Sequence, residues 1–210
     1  MTLPSAYRAT ERDKHGMFVA VEGVSGCGKS TLVRNLGADL TAATLHTIAD
    51  PFTRMTNFIN RHTLPMVQLC FYLSGVLHTS DTIRGQLAHR SVVADRYVTS
   101  VVVNHASVNG IDVRRVQEVL HPYVPYLVVP DVTLYLHASA SELRRRMADK
   151  PDLSPSDRHL LDHPKILARL ISLYDRFAQD DPHAVTIATD GLTLAEVAAA
   201  ARAALKEYVC

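Results

Sequence analysis

Three features of the sequence predict an α/β fold with one parallel sheet covered by helices on both faces. Apolar runs of strand length alternate with segments of helical spacing from residue 17 onward. Several of those runs are near-continuous rather than alternating, as in strands buried on both faces. No repeat, low-complexity linker or apolar stretch of membrane length interrupts the pattern. The 210 residues suit a single domain, and 47% hydrophobic against 20% charged residues is an ordinary globular balance.

Taken in order, residues 1–16 are polar and charged and read as a flexible tail, with the domain proper spanning 17–210. The first strand is expected over Met17 to Glu22. A glycine-rich turn follows, then a helix beginning Ser30-Thr31-Leu32. A second strand is expected from Thr44 to Ile48, ending at Ala49-Asp50-Pro51. A long helix runs from Pro65, acceptable in a first turn, to about His89. Ser91 to Asp95 is another buried-strand run, closed by Asp95-Arg96, and Tyr97 to Ala106 is ambiguous between helix and strand. Asp131 to Leu136 is a strand. Ser139-Ala140-Ser141-Glu142 is a capping-box sequence opening the helix Leu143 to Met147. Asp149 to Asp157 reads as a polar loop broken by Pro151 and Pro155. Then come a helix from Pro164 to Ala178, a strand from Ala184 to Ala188, and a second capping box, Thr193 to Glu196, before an alanine-rich last helix.

A formal charge of +1 supplies no general field for nucleic acid or an anionic membrane, so neither partner is expected. The eleven histidines show no zinc-ligand spacing. Cys27, Cys70 and Cys210 form an odd, unpaired set that suits a reducing cytoplasm.

Gly23-Val24-Ser25-Gly26-Cys27-Gly28-Lys29-Ser30 matches GxxxxGK[ST] at every position. The glycines let backbone N–H groups converge on phosphate oxygens, and the following helix turns its positive end toward the same anion. Lys29 adds charge at the β- and γ-phosphates, and the Ser30 hydroxyl suits Mg²⁺. A plain glycine-rich turn would match too, but the placement between buried strand and helix favours a triphosphate site, with ATP and Mg²⁺ as cofactors. Asp95-Arg96 ends a buried strand, where open parallel sheets bind ligands. Asp95 suits the Mg²⁺ shell, partly through water, and Arg96 a phosphate clamp during transfer, where a surface ion pair would be the bland alternative.

These residues resemble the thymidylate kinase family of nucleoside monophosphate kinases. Phe18 to Gly23 resembles its first strand, Asp95-Arg96-Tyr97 its Asp-Arg-Tyr motif, and Pro130-Asp131-Val132-Thr133-Leu134-Tyr135-Leu136 its Pro-Asp-Leu-Thr-Leu-Tyr-Leu strand. The resemblance covers nearly all of Met17 to Tyr208. It implies a five-stranded parallel sheet, transfer of the ATP γ-phosphate to a small-molecule nucleotide, a homodimer, and a short lid near residues 144–158. It implies that Gly23, Ser25, Gly26, Cys27, Gly28, Lys29, Ser30, Thr31 and Arg144 hold the donor. The lid offers Arg144, Arg145, Arg146, Lys150 and Arg158 as phosphate contacts, although several of these would suit a solvated helix face equally well. Phe71 falls where the family stacks an aromatic on the acceptor base, and Asp50, Arg54, Arg96 and Ser100 join it on the acceptor side.

Three departures from the family pattern lie on that side. Gly75 stands one turn after Phe71, where an arginine is usual; a need for space and simple helix tolerance weigh equally. Asn104 and His105 stand where an aromatic and a glutamine are common, which enlarges the sugar pocket and offers hydrogen bonds. The usual stretch after the second strand is reduced to Ala49-Asp50-Pro51-Phe52. The expected acceptor is therefore a pyrimidine or modified nucleotide rather than strictly dTMP. Two alternatives stay open: a nucleoside or other hydroxyl-acceptor kinase with Glu22 as base, and a catalytically weak nucleotide-binding regulatory protein.

Overall fold

Five parallel strands, each four to six residues long, carry the architecture: β1 (Phe18–Glu22), β2 (Ala43–His46), β3 (Val92–Asp95), β4 (Val132–His137) and β5 (Ala184–Ala188). The computed structural model describes residues 8–10, 12–151 and 153–208, so half of the expected tail and Cys210 lie outside the described residues. The strands stand in the order β2-β3-β1-β4-β5, the parallel sheet that the alternating pattern predicts. Among the described residues the helices are α1 (Lys29–Asp39), α2 (Thr56–His62), α3 (Pro65–Leu87), α4 (Val98–Val108), α5 (Val113–Leu120), α6 (Ala140–Ala148), α7 (Pro155–Asp162), α8 (Pro164–Asp180) and α9 (Leu194–Leu205).

The apolar residues of β1 divide between two cores because successive side chains face opposite ways. Phe18 and Ala20 meet Leu69, Val76 and Ile83 of α3 and Val102 and Ala106 of α4. Val19 and Val21 meet Leu32 and Leu36 of α1, Leu167 and Leu170 of α8, and Ala198 and Ala201 of α9. Both faces of the sheet are therefore covered. The central strands β1, β3 and β4 are accordingly buried on both sides, whereas the edge strands β2 and β5 stay partly exposed.

Several local expectations change. Tyr97 to Ala106, ambiguous by propensity, is helical: α4 packs its valines against α3 and against α8, and tertiary burial decides what propensity does not. The polar loop ends earlier than expected, because Ser154 caps α7 by accepting the Asp157 N–H at 3.1 Å and Pro155 occupies its first turn. The helices α2 and α5 have no counterpart among the expected elements. The Asp112 carboxylate caps α5, accepting the Arg114 N–H at 3.0 Å. Of the two capping boxes, Thr193–Glu196 is reciprocal. At Ser139 only half of the box forms, because the Glu142 carboxylate turns to Arg145 and Arg146 at 2.7 Å each. The free Ser139 N–H donates instead to Asp190 at 3.0 Å. The chain just before β1 is also tied down, since the His15 and Gly16 N–H groups both donate to the Leu87 carbonyl at 2.9 and 3.0 Å.

Candidate active site

The strand order places the carboxyl ends of β1 and β3 side by side, with Val21 in register with Asp95. From these ends the chain leaves in opposite directions, β1 toward β2 and β3 toward β4, which opens the crevice where such sheets bind ligands. The phosphate loop rises from β1 into α1. Gly23 sits at φ 139°, and a Cβ there would lie 2.5 Å from the Leu136 carbonyl oxygen, so a side chain is excluded on two grounds. Gly26 and Gly28 also take positive φ, and Thr31 lies in the first turn of α1, half-buried.

Lys29 is 5% exposed and donates to the Val24 carbonyl at 2.7 Å. Burial, and then the nearby Arg96 charge, pull its ammonium below the ordinary value. A desolvated cation inside an amide-lined loop is a strong attractor for phosphate. The Ser30 hydroxyl donates to Asp95 at 2.5 Å, which joins the two oxygens expected near Mg²⁺ across β1 and β3. Hard oxygen donors of this kind suit that ion. Among the described residues no group of three or more His, Cys, Asp or Glu side chains forms a metal cage. A magnesium ion would therefore keep waters and phosphate oxygens in its shell.

Arg96 adopts φ 71°, a left-handed conformation that is rare for a side-chain-bearing residue, and its N–H donates to the Val21 carbonyl at 2.9 Å. The turn sends the guanidinium back over β1, where Nη1 donates to the Gly23 carbonyl at 2.9 Å, Tyr174 Oη at 3.0 Å and Ser100 Oγ at 3.1 Å. Glu22 is 1% exposed. Its Oε1 accepts the Tyr97 N–H at 2.7 Å and the Ser100 N–H at 3.3 Å, and its Oε2 accepts the Ser100 hydroxyl at 2.5 Å. The carboxylate thus caps α4, which has no side-chain cap of its own. Burial raises the Glu22 carboxyl above the ordinary value even against these donors and Arg96.

Asn104, one turn beyond Ser100, donates to the Ser100 carbonyl at 2.7 Å and approaches Tyr174 Oη at 3.4 Å. His105 pairs instead with Asn109, and burial lowers its imidazole. Glu22, Arg96, Ser100 and Asn104 therefore form one polar network with Tyr174 of α8. No sequence signal pointed to Tyr174: with Leu167 and Leu170 it reads as the core stripe of an amphipathic helix.

A second group lies around α3. Gly75 is buried, and a Cβ there would meet Ile48 Cγ2 at 2.8 Å. The space left by the missing side chain is occupied by Ile48, so the glycine serves close packing. Phe71 faces Phe52 with ring centroids 5.8 Å apart, and Phe52 faces His78 at 5.6 Å. His78 in turn touches the Asp50 carbonyl at 2.9 Å. Asp50 and Arg54 form an exposed ion pair at 3.4 Å, a contact that holds little.

The lid residues separate. Arg144 and Arg158 are exposed. Arg146 is fixed to the chain after β5, its Nη1 donating to Thr189 Oγ1 at 3.0 Å and its Nη2 to the Thr189 carbonyl at 2.6 Å. Lys150 donates to Asp157 at 2.7 Å, and the other oxygen of Asp157 accepts the hydroxyl of Ser25 in the phosphate loop. Within a run of polar residues nothing distinguished Asp157 from its neighbours.

A family model for thymidylate kinase matches residues 21–199. A thymidylate kinase of Synechococcus is 28% identical over 158 residues, covering 65% of this chain and 75% of its own. A probable thymidylate kinase of Methanococcus aeolicus is 26% identical over 192 residues, covering 86% and 91%. Among solved structures, the thymidylate kinase of Candida albicans matches with TM-score 0.77 over 93% of each chain at 16% identity. That of Ehrlichia chaffeensis matches with TM-score 0.68 over 90% of this chain and 98% of its own, at 18% identity. The two structural likenesses speak to the fold, and the family match spans most of the chain. The protein is a phosphotransferase and belongs to the thymidylate kinase family.

Proposed function

We propose that the protein transfers the γ-phosphoryl group of ATP to a nucleoside monophosphate, and that its acceptor is a pyrimidine or modified nucleotide rather than strictly dTMP. The packing of Ile48 against Gly75 carries the second half of this reading. An arginine cannot enter that position without displacing a buried branched side chain, so base recognition must rest on other groups. Phe71 and Phe52 offer apolar faces for a base, and Asn104 offers an amide on the sugar side. The solved Candida albicans relative is described as having broad substrate specificity, which is compatible with such a pocket in this fold.

In the reaction, the loop from Gly23 to Ser30 grips the donor phosphates through its N–H groups. Lys29 leaves the Val24 carbonyl to meet phosphate oxygens. Arg96 is held between the loop and α4 and from there would clamp the group in flight. Ser30 and Asp95 would hold Mg²⁺, which supplies positive charge for the β- and γ-phosphates when bound. Most of the catalysis on this account is positioning and charge stabilisation.

Glu22 argues for a monophosphate over a hydroxyl acceptor. A hydroxyl needs a general base, whereas a phosphate is already anionic. The Glu22 carboxylate is buried and already accepts three hydrogen bonds, which leaves it poorly placed to take a proton from a ligand. An ADP-release assay that pairs each nucleoside with its 5′-monophosphate tests this. Turnover is expected with monophosphates alone, and efficient turnover of a nucleoside would overturn the reading. No ADP with any acceptor, despite ATP binding, would favour a regulatory binder.

The same reading takes the enzyme as a cytoplasmic homodimer. No helix among the described residues is long and apolar enough to cross a membrane. Phe58, Leu64, Met66 and Val67, between 50% and 77% exposed on α2 and the start of α3, offer an apolar face for a second copy.

A further inference from the structure

We propose that Asp157 is a positioning residue that ties the lid to the phosphate loop and holds the Lys150 ammonium at its rim. The inference rests on the kinase reading above, but its first observable does not.

Asp157 is 5% exposed although it belongs to a short surface helix. Its two carboxylate oxygens are divided between two parts of the chain. One accepts the hydroxyl of Ser25 inside the phosphate loop, and the other accepts the Lys150 ammonium at 2.7 Å. Burial alone would push this carboxyl up. The Lys150 and Ser25 donors, with Ser154 behind them, outweigh burial and hold it below the ordinary carboxylate value. Lifting the lid would break the Ser25 bond, while the Lys150–Asp157 pair, carried on the lid itself, would stay intact.

The other end of the lid is seated as well. Gly26 of the loop has Met147 of α6 so close that an added Cβ would lie 3.2 Å from its Cγ. The loop therefore meets an apolar contact from α6 at Gly26 and the Asp157 carboxylate of α7 at Ser25. In sequence Lys150 lies between those two anchors, and its side chain stays 35% exposed, so its charge is held by Asp157 without being buried. On this proposal Lys150 meets the triphosphate from that position, and an already ordered cation spares the reaction the entropy of collecting it. Arg158, next in sequence but exposed, has no such restraint.

The test uses the full chain with Asp157→Asn, and with Ser25→Ala as a milder second variant that removes only the loop-side hydroxyl. Hydrogen exchange of residues 149–151 and 153–158 is measured without nucleotide, followed by steady-state kinetics with ATP. In the wild type this segment should exchange slowly; both variants should speed it, Asp157→Asn the more. The effects should be non-additive in the double variant, since both act on one contact. In kinetics, kcat should fall about tenfold or more for Asp157→Asn while KM for the acceptor stays close to wild type. A residue that served stability alone would lower the melting temperature and leave kcat unchanged. Wild-type exchange as fast as in Asp157→Asn, or an unchanged kcat in a folded variant, overturns the proposal. If the wild type forms no ADP with any nucleotide, the kinase reading fails instead, and the exchange data alone decide whether Asp157 docks the lid.

Discussion

The proposed donor side of the crevice, Gly23 to Thr31 with Asp95 and Arg96, is held by the ends of two central strands. The proposed acceptor side, Ile48 to Arg54 with Phe71 to His78, is held by side chains that meet between a loop and a helix. On the donor side backbone geometry does most of the work: positive φ at three glycines and at Arg96, and N–H groups at a helix start. On the acceptor side each contact depends on which side chain stands opposite. Backbone-built sites tolerate little change, whereas side-chain pockets are reshaped by single exchanges, so donor chemistry can stay constant while the acceptor changes.

The largest effect separating the two sides should come from Lys29→Ala. It removes the one buried cation of the loop and should lower the transfer rate on the order of 10²–10³-fold. Initial rates at saturating acceptor read this out, and the fold should survive, since the exchange leaves the strands intact. A fall of less than tenfold would mean that the loop grips by backbone alone.

Next in size is Gly75→Ala on the acceptor side. Its Cβ would meet Ile48 at 2.8 Å, and overpacking of this kind costs about 1–3 kcal/mol. Urea unfolding should show the loss, and Ile48→Ala should recover part of it in the double variant. If the single exchange is neutral, Ile48 is not what keeps this position small.

A smaller and pH-dependent effect is expected from Glu22→Gln. Burial raises the Glu22 carboxyl in the folded protein, so folding favours its protonated form relative to the unfolded chain. Its contribution to stability is complete below the unfolded value and is lost as pH rises through the folded one. Glu22→Gln should therefore gain stability relative to wild type as pH climbs above about 4.5. Melting curves between pH 4 and 8 test the sign, and a relative loss on going up would contradict it.

The same contrast explains how much could be read from the residues in order. The phosphate loop was legible because its chemistry lies in eight consecutive positions with glycine where φ must be positive. Asp95 and Arg96 were legible because a buried strand ends on them. Gly75 was visible as an anomaly, but whether its space stayed open or was filled depended on Ile48, a residue on another element. Tyr174 and Asp157 carried no local mark. One looks like core and the other like loop until the fold brings Arg96 and Ser25 to them. The half-formed capping box at Ser139 has the same origin, because Arg145 and Arg146 compete for Glu142.

The central claim is that an intact donor side serves an acceptor other than strictly dTMP. It is tested most directly by initial rates of ADP formation across a panel of ribo- and deoxynucleoside monophosphates, with pyrimidines modified at the base included, at fixed ATP and Mg²⁺. The account predicts clear turnover of at least one pyrimidine or modified monophosphate other than dTMP, with kcat/KM equal to or above that of dTMP. A strong preference for dTMP over every other nucleotide would contradict it.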